Sequence, residues 1–116
     1  DINSPEKSAC EGLMRDAILR NLELLSEGEK VMLKLTLPEE DNFYSDLVES
    51  EKILRVVALS GGYSRKEANA RMSRNSGVVA SFSRALTEGL SAQQSQSEFD
   101  SLLNSSIQSI FDASNT

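Results

Sequence analysis

The chain has 116 residues, 39% of them hydrophobic, with 12 basic against 18 acidic side chains and a formal net charge of −6. That is one domain's worth of chain with enough apolar residues for a modest core, and an acidic balance without a basic cluster argues against general nucleic-acid binding. With no histidine and one cysteine, Cys10, this chain excludes Cys/His and Ser/His nucleophile systems, metal sites built from His or several Cys, and any internal disulfide.

The chain opens with Asp1-Ile2-Asn3-Ser4-Pro5, which reads as a loop entering a helix. Ser4 is placed to cap it, Pro5 suits the first helical position, and Glu6 complements the helix dipole. Leu13, Met14, Ala17, Ile18, Leu22 and Leu25 recur at helical spacing as one apolar stripe, and Cys10 is expected to pack within this helix. The helix is predicted to end between Ser26 and Gly28. Val31 to Leu37 follows, closed by Pro38, and its aliphatic run reads as a buried β-strand. Alternation places Met32, Lys34 and Thr36 on one face, and Val31, Leu33, Leu35 and Leu37 on the other. A lysine inside a buried strand is costly to keep charged and can serve as a nucleophilic amine. The competing reading is an exposed lysine guarding an edge strand.

Glu39, Glu40 and Asp41, at the end of the Lys34 strand, are candidate catalytic carboxylates, but such a run reads more readily as a solvated loop that starts a short helix over residues 42–49, with Tyr44, Leu47 and Val48 facing inward. Ile53 to Leu59 is a second strand, and its weak alternation predicts burial on both faces. It runs into Ser60-Gly61-Gly62, where two glycines let backbone N–H groups turn toward an anion, although an ordinary tight turn explains the motif as well. Ser64 and Glu67 have the spacing of a capping box for a helix reaching about Asn75. A third strand, 78–82, ends beside Ser83 and Arg84, a guanidinium placed to grip phosphate or simply a surface arginine. A polar Ser- and Gln-rich connector precedes a second capping pair, Ser95 and Glu98, and a final amphipathic helix with Phe99, Leu102, Leu103, Ile107, Ile110 and Phe111 as its stripe. No run is long enough to span a membrane and no signal peptide opens the chain, so a cytoplasmic location without membrane or nucleic-acid partners is expected.

The strand–helix rhythm implies an α/β fold with parallel strands and helices packed outside. Ser60, Gly61, Gly62 and Arg84 then fall at the C-terminal ends of neighbouring strands, beside the strand of Lys34, on the side where such folds place their sites.

In its motifs V-M-L-K-L-T-L-P, R-V-V-A-L-S-G-G-Y-S-R, A-S-F-S-R-A-L, Q-S-Q-S-E-F-D and S-I-F-D-A-S, the chain resembles the bacterial class I, Schiff-base-forming fructose-bisphosphate aldolases. The resemblance implies that residues 1–116 are the C-terminal part of one TIM-barrel domain, contributing strands six to eight with flanking helices. It implies that Lys34 forms the imine with the ketone substrate, and that Ser60, Gly61, Gly62, Ser83 and Arg84 bind a substrate phosphate. No metal or other cofactor is implied. The partner is a sugar phosphate, fructose 1,6-bisphosphate, cleaved to two triose phosphates. A barrel of this kind has eight strands in about 250 residues, so the acid–base groups are expected outside this chain. For the same reason its strand edges are expected to require the missing barrel strands or to self-associate. Two alternatives stand beside this reading: another Schiff-base barrel such as transaldolase or deoxyribose-phosphate aldolase, and a non-catalytic module that binds phosphate or protein.

Overall fold

All three predicted strands form and pair side by side. In a computed structural model describing residues 1–116, they are β1 (Val31–Thr36), β2 (Ile53–Leu59) and β3 (Val78–Ala80), hydrogen-bonded in the order β1-β2-β3 with every pair parallel. Five helices accompany them: α1 (Lys7–Leu22), α2 (Ser45–Glu49), α3 (Arg65–Met72), α4 (Arg84–Thr87) and α5 (Gln96–Ser114). The fold is therefore α/β, and no helix is long and apolar enough to cross a membrane.

Local chemistry accounts for most element boundaries. Pro38, lacking a backbone N–H, stops β1. The Ser64 hydroxyl accepts from the Glu67 N–H at 3.3 Å and starts α3, but the Glu67 carboxylate turns to Arg71 instead of completing the box. At α5 both halves form, with Ser95 and Glu98 each accepting the other's backbone N–H. The expected start of α1 shifts. Ser4 accepts from the Glu6 N–H in a local turn, and the helix begins at Lys7 without a side-chain cap.

The register defines two unlike sheet faces. Leu33, Leu35, Val56, Ala58 and Val78 occupy the covered face, joined below by Leu22, Leu47, Ala68, Met72, Ala85 and Ala113 from the helices. The other face carries Met32, Lys34 and Thr36, paired in register with Arg55, Val57 and Leu59, and then Val79 opposite Val57. No helix lies over it. Met32 is 59% exposed, and Lys34 and Arg55 are exposed too.

Two expectations are corrected here. β2 is buried on one face only, because a register shift after Val31 skips Leu54 and turns Leu54 and Arg55 both outward. Its lack of alternation reflects that irregularity and an uncovered apolar face. The stripe of α1 is also displaced: Leu13 is 73% exposed, while Lys7 and Glu11 are buried. A radius of gyration of 16.1 Å, against about 13 Å for a compact domain of this length, fits a slab with one open side.

Candidate functional site

Lys34 stands in the middle of β1 on the open face, with Val57 opposite it on β2. The expectation of a buried amine is not met within this chain, since Lys34 is exposed. The alternation is right, but that side of the sheet is left open around Lys34. Lys34 instead borders a cavity of about 450 Å³ between the start of α1 and the C-terminal ends of β1 and β2. Thr36, Leu59, Gly61, Met14 and Tyr44 also line it. So does Cys10, which is exposed, against the expectation that it packs.

Beyond β2 the chain turns sharply through Ser60-Gly61-Gly62. The Tyr63 N–H closes the turn on the Ser60 carbonyl at 2.9 Å. Gly61 has φ +66° and Gly62 φ +112°, a region that side chains with a Cβ rarely adopt. Gly61 has a second reason to lack a side chain, because a Cβ there would sit 2.6 Å from Thr36 Cγ2.

A smaller cavity, about 90 Å³, opens on the other side of this turn and is lined by Leu59, Ser60, Gly61, Ser81, Ser83 and Arg84. The structure thus brings together four of the five residues expected to bind phosphate. The fifth, Gly62, lies alongside, its Cβ position 4.0 Å from Arg84 Nη2. Ser60 is buried, whereas Ser83 and Arg84, at the start of α4, are exposed. Arg84 has no carboxylate partner, in contrast to Arg71 and Arg74. Leu59 and Gly61 line both cavities, so the amine and the guanidinium serve adjoining spaces with one shared wall.

Sequence reasoning missed a cluster of charged groups beside the larger cavity, which Lys7 and Glu11 help to line. The buried Lys7 ammonium pairs with Glu11 and with Glu39 at 3.1 Å, and donates to the Leu37 carbonyl at 2.9 Å. The other oxygen of Glu11 accepts the Glu39 backbone N–H at 3.1 Å. Tyr63 donates its hydroxyl to Glu39 at 3.0 Å. The Arg71 guanidinium sits 4.4 Å over the Tyr63 ring and reaches Glu39 and the Pro38 carbonyl. Burial alone would lower the pKa of Lys7, but the two carboxylates outweigh it and hold the ammonium above the usual lysine range. Burial would raise Glu39, yet hydrogen bonds from Lys7 and Tyr63 hold it below the usual carboxylate range. Burial and then the Glu39 carboxylate push the Tyr63 phenol up. The loop acids are therefore not simply solvated: Glu39 joins this cluster, Asp41 pairs with Arg74 at 2.7 Å, and Glu40 alone points freely to solvent. The i, i+4 spacing of Lys7 and Glu11 was the one available signal.

The site's sequence has clear relatives. No protein-family profile matches the chain. Among curated proteins, it is 59% identical over all 116 residues to a fructose-bisphosphate aldolase class 1 from Synechocystis sp.. It is 52% identical over 114 residues to the protein of that name from Porphyromonas gingivalis, and 52% identical over 116 residues to that from Clostridium acetobutylicum. The chain spans 38 to 39% of the length of these relatives.

Proposed function

From the premise that the chain belongs to the class 1 fructose-bisphosphate aldolase family, we propose that it is the C-terminal part of such an enzyme. Its three strands would be the last three of a TIM barrel, and it would carry the imine-forming lysine and one phosphate site. The observation that carries this reading is the shared wall. Lys34 and the Ser60-Gly61, Ser83 and Arg84 group line two cavities that share Leu59 and Gly61.

The open sheet face supports the same reading. In a barrel, Met32, Lys34, Thr36, Val57, Leu59 and Val79 would point inward, and the remaining strands would cover them. That cover would desolvate the Lys34 amine, the condition under which a lysine becomes a useful nucleophile.

The whole protein would cleave fructose 1,6-bisphosphate reversibly to dihydroxyacetone phosphate and glyceraldehyde 3-phosphate. The Lys34 amine adds to the ketone carbonyl and water leaves, giving an iminium. As the carbon–carbon bond breaks, its electron pair passes into that iminium and the aldehyde product departs. Protonation of the resulting enamine and hydrolysis of the imine release dihydroxyacetone phosphate and regenerate the amine. Forming the covalent intermediate replaces one difficult step by easier ones. The small cavity, with backbone N–H groups at Ser60-Gly61 and the free Arg84 guanidinium, anchors the phosphate and so positions the carbonyl. Proton transfers would fall to groups outside these 116 residues.

The test is imine trapping in the full-length protein. Borohydride added with dihydroxyacetone phosphate should label Lys34 irreversibly, and a chelator should not prevent it. Lys34→Arg, whose guanidinium stays protonated, should abolish both labelling and cleavage while leaving phosphate affinity in place. Recovery of the label on Lys30 or Lys52, with Lys34 untouched, would overturn the assignment.

A further inference from the structure

We propose that Lys7, Glu11, Glu39, Tyr63 and Arg71 form a clasp that fixes the separation of the Lys34 cavity from the Arg84 cavity. These are positioning residues for a substrate that must reach both. The inference rests on the reading of Lys34 and the small cavity just given, and adds a source of selectivity for phosphorylated ketones.

The connectivity carries the argument. The chain leaves β1 through Leu37, Pro38 and Glu39, three to five residues past Lys34. All three are gripped at the backbone: the Leu37 carbonyl by Lys7, the Pro38 carbonyl by Arg71, and the Glu39 N–H by Glu11. The Gly61-Gly62 turn leads straight into Tyr63, whose hydroxyl is tied to the Glu39 carboxylate and whose ring lies under Arg71. The end of the Lys34 strand and the turn that walls the anion cavity are thereby bolted to one another through Glu39. From the other side, Thr36 Cγ2 fills the space left by the missing Cβ of Gly61.

Direct substrate contact by Lys7 is the natural rival, since it borders the larger cavity. The Lys7 ammonium donates to Glu11 and to the Leu37 carbonyl, and is ion-paired with Glu39 at 3.1 Å. Its charge is already matched by two carboxylates within the cluster. An ion cluster that is part buried and part exposed, as this one is, adds little net stability. What this one supplies is a fixed distance across Leu59 and Gly61. That distance matters for a ketone whose carbonyl must meet Lys34 while its phosphate occupies the other cavity. It is indifferent to a ketone with no phosphate.

The experiment compares borohydride trapping of the full-length protein by dihydroxyacetone phosphate and by unphosphorylated dihydroxyacetone. The variants are Tyr63→Phe, which keeps the ring under Arg71, and Glu39→Gln, which keeps an acceptor but loses the charge. Since misplacement by about 1 Å can cost on the order of a hundredfold, the advantage of the phosphorylated ketone should fall by roughly tenfold or more in each. Trapping by dihydroxyacetone, and competition by inorganic phosphate, should remain at the unmutated level. Equal slowing with both ketones, or no change in their ratio, would overturn the proposal. Lys7→Met is the harsher variant; should it fail to fold, the two milder ones decide the matter. The unmutated protein separates the two levels of inference. If it lacks labelling at Lys34 or shows no preference for the phosphorylated ketone, the underlying reading fails before the clasp is tested.

Discussion

Gly61→Ala carries two costs that the structure allows to be separated. Two independent penalties act at this position. The backbone sits at φ +66°, where an L-residue with a Cβ loses about 1–2 kcal/mol. The new methyl group would also lie 2.6 Å from Thr36 Cγ2 and 3.3 Å from Ile2 Cγ2, an overlap of the kind that costs about 1–3 kcal/mol in a packed site. Together they predict a loss of about 2–5 kcal/mol, to be read from the denaturant midpoint of the full-length protein. The two parts can be told apart with Thr36→Ser, which deletes the offending methyl group. The double variant should regain about 1–3 kcal/mol relative to Gly61→Ala and retain the backbone penalty together with the milder Ile2 contact. Gly77→Ala is the matched control. It has φ +75° and a Cβ position 2.6 Å from Val48 Cγ1, but it lines neither the Lys34 cavity nor the Arg84 cavity. Both glycine variants should lower stability, and only Gly61→Ala should also slow trapping by dihydroxyacetone phosphate. If Thr36→Ser recovers nothing, the methyl overlap is not the cause and the packing argument fails.

Arg84→Ala in the full-length protein should weaken phosphorylated substrate by about 2 kcal/mol, roughly thirtyfold, through loss of a charge-assisted contact; unchanged kinetics would reduce Arg84 to a surface residue. The Glu39 carboxylate is held below its usual value of 4.5, so its stabilising contribution is present above that pH and is lost as pH falls through the folded value. Glu39→Gln should accordingly flatten the acid limb of a stability–pH curve, and an unchanged limb would remove Glu39 from the clasp. The 116-residue chain on its own should self-associate. β1 and β3 each leave a free strand edge, and a cavity of about 330 Å³ lined by Val79, Phe82, Ile107, Ile110 and Phe111 opens beside β3, features that invite pairing with other chains. Sedimentation as a monomer, with a sharp cooperative unfolding transition, would contradict this.

What could be read from sequence was whatever depends on near neighbours along the chain. Aliphatic runs bounded by Pro38 and Gly61 marked β1 and β2, and β2 came out with its predicted bounds. Ser64 and Ser95 marked helix starts because a cap and its target N–H lie three residues apart. Once the strands were taken as parallel, Ser60, Gly61, Ser83 and Arg84 had to gather at one end of the sheet, and they do. Burial was another matter, because it depends on what arrives from elsewhere. Alternation separated Lys34 from Leu33 and Leu35, yet could not say that the lysine's face would be the uncovered one, nor that skipping Leu54 would turn Arg55 outward. The covered face of α1 had to accommodate Lys7 and Glu11, since their carboxylate and backbone partners come from residues 37–39. The clasp joins groups up to 64 positions apart in the chain, from Lys7 to Arg71. Charge pairing over such a distance leaves no periodic trace in a sequence, and only the packing of α1, β1 and α3 around Glu39 determines it.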